Sequence, residues 1–240
     1  MSVRRPILAA SLAASLALAP LAALAHHGQD FLIVESPSVT HPGNVYFLAN
    51  AAAALESDAE EQAGFEPALL VGVAPRVALE LHAHTEKLAG DSWSYEATAP
   101  SVHVLLTDPE RHDGLKAGLS AEYEIAREAD AADRLELRLS LEQSFDGYKW
   151  GGNLIYSREQ GGEDEFGVAL GLRRTVGAHV ALGAEAQGAF DHADGRELLG
   201  GVYWEPSEAV TLKFGLGGVH DDAGGNTALA RFGLVVRLRG

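Results

Sequence analysis

The sequence has no cysteine, which excludes a disulfide framework and any thiolate-bound metal centre. It is poor in positive charge. Lys and Arg number 18 against 34 Asp and Glu, for a formal net charge of −16. Phosphate binding needs clustered basic residues, so this balance argues against nucleic acid as a partner. Beyond residue 25 no apolar run approaches eighteen residues, so no later segment can span a membrane as a helix. Phosphate-cradling and calcium-loop motifs are missing too. Gly215-Leu216-Gly217-Gly218 lies in a strand pattern without a following helix. Asp221–Asn226 lacks the spacing and terminal Glu of a calcium loop. No cofactor is expected. What remains is 240 residues, 47% of them hydrophobic, with 27 glycines. That is enough for one domain with a substantial apolar surface.

The first residues read as an address. Arg4 and Arg5 precede an apolar run from Ile7 to Ala25, which closes with Ala23-Leu24-Ala25. This is the pattern of a secretory signal peptide cleaved after residue 25, the rival reading being an uncleaved anchor. Residues 26–42 form an N-terminal segment on the periplasmic side. In it, Phe31-Leu32-Ile33-Val34 is apolar and flanked by Pro37 and Pro42. Two readings stay open: packing into the mouth of the following domain, or a flexible arm.

From residue 43 onward the period is two. Leu135, Leu137, Leu139 and Leu141 alternate with Glu136, Arg138, Ser140 and Glu142. Phe166, Val168, Leu170 and Leu172 alternate with Gly167, Ala169, Gly171 and Arg173. Strict alternation means strands with one apolar and one polar face. Twelve such runs are expected, near 43–55, 64–74, 76–87, 92–106, 114–127, 133–145, 148–158, 163–175, 177–190, 195–205, 208–219 and 226–238. The apolar phase changes around Pro100, where a bulge or break is expected. The runs exceed the five or six residues typical of soluble strands and suit a tilted crossing of a bilayer. Their connections alternate, mostly, between tight and long. That is the signature of a closed antiparallel up-and-down transmembrane β-barrel with both termini periplasmic. Aromatic residues near strand ends agree, with Trp93, Tyr95 and Tyr123 at the outer girdle and Phe145, Tyr203 and Trp204 at the inner one. A soluble β-sandwich is the rival architecture.

The stretch Glu66-Pro67-Ala68-Leu69-Leu70-Val71-Gly72-Val73-Ala74-Pro75-Arg76-Val77-Ala78-Leu79-Glu80-Leu81, set in this architecture over residues 43–240, resembles Gram-negative outer-membrane β-barrel proteins of the small porin or transporter-like type. The resemblance implies an outer-membrane location, partners among outer-membrane lipid and the assembly machinery, and passage of small solutes. Such proteins usually end in an aromatic residue read by that machinery; this chain ends Leu238-Arg239-Gly240.

On this reading the polar face lines the lumen. It comprises Glu80, His82, His84, Lys116, Glu122, Glu124, Glu136, Arg138, Glu142, Arg173, Glu185, Gln187, Lys213, Arg231 and Arg237. An acidic wall favours cationic or metal solutes; a fully paired one would fill the lumen and make the barrel structural or binding. His82 and His84 share a face with Glu80 and Glu86, so they are candidate metal ligands or ordinary polar lining. His26 and His27, at the expected mature terminus, are further candidates for Cu²⁺ or Ni²⁺ or else part of a flexible polar end. The enzyme alternative is an outer-membrane lipid hydrolase built on Ser101 and His103. These share the polar face with no third, orienting group marked, so no catalytic residue is assigned.

Overall fold

The computed structural model describes residues 29–55, 61–88, 90–109, 114–128, 131–190, 195–220 and 226–240. The signal-peptide reading of residues 1–25, His26 and His27, and the Asp221–Gly225 turn lie outside them. Among the described residues twelve strands follow one another: β1 (Val45–Ala54), β2 (Glu61–Ala74), β3 (Val77–Leu88), β4 (Ser94–Leu105), β5 (Lys116–Ala126), β6 (Arg134–Phe145), β7 (Tyr148–Glu159), β8 (Asp164–Gly177), β9 (Val180–Ala189), β10 (Arg196–Ser207), β11 (Val210–His220) and β12 (Asn226–Arg239). Every expected strand is present, with ends within three residues of those read from the alternation. Each pairs antiparallel with its sequence neighbours. The sheet closes where β1 meets β12, from Val45 opposite Arg239 to Ala54 opposite Leu229. Closure leaves no unpaired edge and rules out the sandwich.

The apolar phase points outward. Mid-strand Leu79, Leu170 and Leu216 are 47%, 55% and 65% exposed. Leu81, Leu119, Leu137, Leu154, Leu182 and Val202 extend the same belt. A belt of this size belongs in hydrocarbon rather than water. Phe214 and Phe232 sit within it, ring centroids 5.1 Å apart. Toward one rim Trp93, Tyr95, Tyr123, Phe166 and Phe190 are exposed; toward the other, Phe145 and Trp204. Phe145 stacks on Tyr148 at 5.7 Å. Tyr203 departs from the expected girdle. It occupies the inward phase of β10 and is fully buried.

The tight turns lie on the rim where β1 begins and β12 ends. The β6–β7 hairpin turns on Asp146 and Gly147, both at positive φ (46° and 78°), as a two-residue turn matched to strand twist requires. The β8–β9 and β10–β11 turns fall at Ala178-His179 and Glu208-Ala209, two residues beyond the expected positions. The phase change in β4 is also displaced. The strand runs unbroken through Pro100, and the β3–β4 register shifts at Glu96, where His84 pairs Ala97 but Thr85 pairs Tyr95. One residue inserted there moves the outward phase from Tyr95 to Pro100 and Val102.

Residues 29–42 enter the barrel through the rim of tight turns. Phe31 and Val34 are 1% exposed and form an internal apolar cluster with Ala169, Ala181 and Tyr203. The wall makes room with glycines. A Cβ on Gly151 would lie 2.9 Å from Val34, and one on Gly171 2.9 Å from Phe31. Farther along, Pro37 lies against Gly118 of β5, and Val39 packs on a second cluster around Tyr46, Leu48 and Leu70.

Candidate functional site

The arm is held by charges that the strands bury. Glu185 of β9, 1% exposed, accepts from the backbone N–H groups of Leu32, Ile33 and Val34 at 2.7, 2.7 and 3.0 Å. The Tyr203 hydroxyl donates to the same carboxylate at 2.6 Å. Three successive N–H groups converging on one anion form a nest. Lys213 of β11 donates to the Phe31 and Gln29 carbonyls at 2.5 and 3.2 Å. Asp30 lies between Lys149 (2.8 Å) and Arg173 (3.0 Å), and Ser36 donates to Glu142 at 2.7 Å. Asn153 clamps the Glu35 backbone, accepting from its N–H and donating to its carbonyl, both at 2.8 Å. Each buried charge therefore has partners, as its burial demands.

Glu35 projects from the arm toward β4 and β6. Its carboxylate lies 3.5 Å from His103 Nδ1 and 3.9 Å from Arg138 Nε. Burial pushes its pKa up, but the His103 imidazole and the Arg138 guanidinium outweigh that and hold it at about 2. At the level of Phe31–Glu35 the arm thus touches β4 and every strand from β6 to β12.

Above the arm, away from the rim of tight turns, lies a partly open cavity of about 380 Å³. Its floor is Phe31–Glu35. Among the described residues its lining, floor included, carries six carboxylates (Glu35, Glu66, Glu80, Glu122, Glu124 and Glu136) against three guanidiniums (Arg134, Arg138 and Arg231). Arg138 bonds Glu136, and Arg231 grips Glu197 at 2.6 and 2.7 Å. His82 Nε2 faces Glu80 at 3.1 Å and Glu122 at 3.5 Å.

The residues expected to line the lumen fall into a cavity set and an arm-bound set, with Arg237 outside both. Glu80, His82, His84, Glu122, Glu124, Glu136, Arg138, Gln187 and Arg231 line the cavity. Glu142, Arg173, Glu185 and Lys213 are buried and bonded to the arm. Lys116 reaches Ser38 at 3.5 Å, and Arg237 faces Glu208 at 4.0 Å near the β10–β11 turn. Alternation marks a residue as inward without showing whether water or the arm will meet it. Asn153, Tyr203 and Glu35 are site residues that sequence reasoning missed. A legible signal existed in the inward-phase glycines 151, 171, 215 and 233, which leave room for a chain segment.

Ser101 and His103 are inside the barrel, away from lipid. Ser101 Oγ is 3.2 Å from His103 Nε2, and Glu35 stands at the opposite ring nitrogen. The spacing resembles a Ser-His-acid triad, with Glu35 as an orienting group that the sequence did not mark. Glu80, however, lies 3.0 Å from the same Nε2. Glu80 therefore competes with Ser101 for the ring nitrogen that would have to accept the serine proton.

No protein-family model matches the sequence, and no curated protein matches it. Solved structures do match the fold. The KdgM porin in complex with disordered oligogalacturonate superposes with a TM-score of 0.60 at 8% identity, over 82% of this chain and 99% of that one. The likeness is to outer-membrane porins. The NanC porin gives 0.55 at 7% identity, over 81% of this chain and 100% of that one. An outer-membrane channel from Pseudomonas putida F1 gives 0.57 at 12% identity, over 83% and 97%. At such identities the agreement concerns architecture, and residue roles rest on this chain's own geometry.

Proposed function

We propose that this protein is a Gram-negative outer-membrane channel for small solutes, favouring cations, whose lumen is narrowed by its own N-terminal arm. The apolar belt takes outer-membrane lipid as its solvent, and insertion by the outer-membrane assembly machinery goes with that location. The observation that carries the reading is the cavity lining, arm included, with twice as many carboxylates as guanidiniums among the described residues of a closed barrel. A confined acidic wall raises the local concentration of cations and repels anions. The KdgM porin was solved with an oligosaccharide of acidic sugars; such a polyanion is a poor fit to this lumen.

Planar-bilayer recording in a KCl gradient tests the proposal. Small conductance steps with a cation-selective reversal potential are expected, and anion selectivity would overturn it. The tight packing at Phe31–Glu35 favours a second reading, a structural or binding barrel with a filled lumen. Well-folded protein that gives no steps at all would establish that alternative.

A further inference from the structure

The half of the cavity away from the arm brings one imidazole close to two of the lining carboxylates. His84 projects from β3, and Glu122 and Glu124 project from β5. One ligand atom from each lies within 4.8 Å of the other two. The strand between them, β4, makes this meeting possible. Ala97 pairs with His84, Ala99 pairs with His82, and both alanines are buried, so long side chains from the two flanking strands converge over a low wall.

We propose that His84, Glu122 and Glu124 form a divalent-cation site. His84 Nε2 is buried and has no hydrogen-bond partner, while its Nδ1 faces Glu66 Oε1 at 3.6 Å. A carboxylate on one ring nitrogen is the usual way a metal-ligating imidazole is oriented and made more basic. The unpartnered nitrogen therefore has a lone pair to give to a metal. Glu122 and Glu124 are two residues apart on one face, where their like charges repel until a cation joins them. One imidazole and two carboxylates suit zinc or a neighbouring first-row divalent ion. Ligand atoms around tetrahedral zinc stand roughly 3.4 Å apart, a contraction within reach of glutamate rotamer changes. The His82–His84 pair expected from sequence is thereby re-drawn. His82 stacks beside His84 at 6.1 Å, but its Nε2 is already engaged by Glu80 and Glu122.

The site deepens the channel reading by naming divalent metal as a solute class, and rests on it for that role alone. Zinc titration by calorimetry of the micelle-folded barrel tests it without a bilayer, so an empty site and a silent channel are separate failures. A background of His26→Ala and His27→Ala removes the one pair of adjacent imidazoles in the sequence. One saturable equivalent of zinc is expected. His84→Ala and the isosteric Glu124→Gln should each weaken it at least about tenfold, and Glu66→Gln, which disturbs only the orientation of His84, about tenfold. Heat-dependent gel mobility confirms that each variant is folded. Absence of saturable binding in folded protein, or binding that both His84→Ala and Glu124→Gln leave within twofold, overturns the proposal.

Discussion

Replacing Glu185 with Gln tests what holds the arm inside. The substitution keeps the shape of a side chain that is 1% exposed but removes its charge. The native carboxylate accepts three backbone N–H groups and the Tyr203 hydroxyl. The amide has one accepting oxygen, and its NH2 must face some of those donors. Hydrogen bonds to a charged group are worth about 1.5–3 kcal/mol each, and removing one member of a buried charged constellation costs about 3–5 kcal/mol. Taking about 3 kcal/mol as the loss, the ratio of docked to released arm falls on the order of 100-fold. Cleavage after Phe31 by a chymotrypsin-type protease reads this population directly when opening is fast relative to cutting. Wild-type arm should resist cleavage, and Glu185→Gln should be cut on the order of 100-fold faster while the barrel keeps its heat-dependent gel shift. Unchanged protection would show that the carboxylate is not the anchor and that apolar packing of Phe31 and Val34 suffices.

Acid should loosen the middle of the arm. The folded pKa of Glu35, about 2, lies below the ordinary 4.5, so its contribution is complete above about pH 4.5 and lost as pH falls through 2. Protease protection measured with an acid-active enzyme should decline across that window, and Glu35→Gln should flatten the profile. On the outer wall, Leu216→Arg places a charge at mid-strand on the most exposed leucine of the belt. It should lower stability by about 2–4 kcal/mol in lipid-vesicle unfolding; a change below about 0.5 kcal/mol would place this face outside the hydrocarbon.

The wall of the barrel was legible because its rule is local. Alternating leucines such as 135, 137, 139 and 141 say which way each residue faces with no knowledge of its neighbours across the sheet. The bulge was harder to place. Pro100 is conspicuous, yet a proline can sit at a position that needs no N–H, and the extra residue is Glu96, which has no propensity to announce itself. The arm was least legible. Residues 29–42 lack any period, and their anchors lie as far away as Lys213, 182 residues from Phe31. The same limit hid Glu35 as the partner of His103. Metal-ligand pairing across β4 likewise depends on register and on the small size of Ala97 and Ala99, not on spacing along one strand.

The seam between β1 and β12 gives the arm a place in time as well as in space. The arm precedes the first strand, whereas Lys213 and Gly233, against which its apolar stretch is seated, belong to the last hairpin. Those contacts cannot exist until the last hairpin is in position, so the full set of arm contacts is completed only with β11 and β12. A chain truncated before β11 would lack that latch, which makes the final hairpin a checkpoint on completeness.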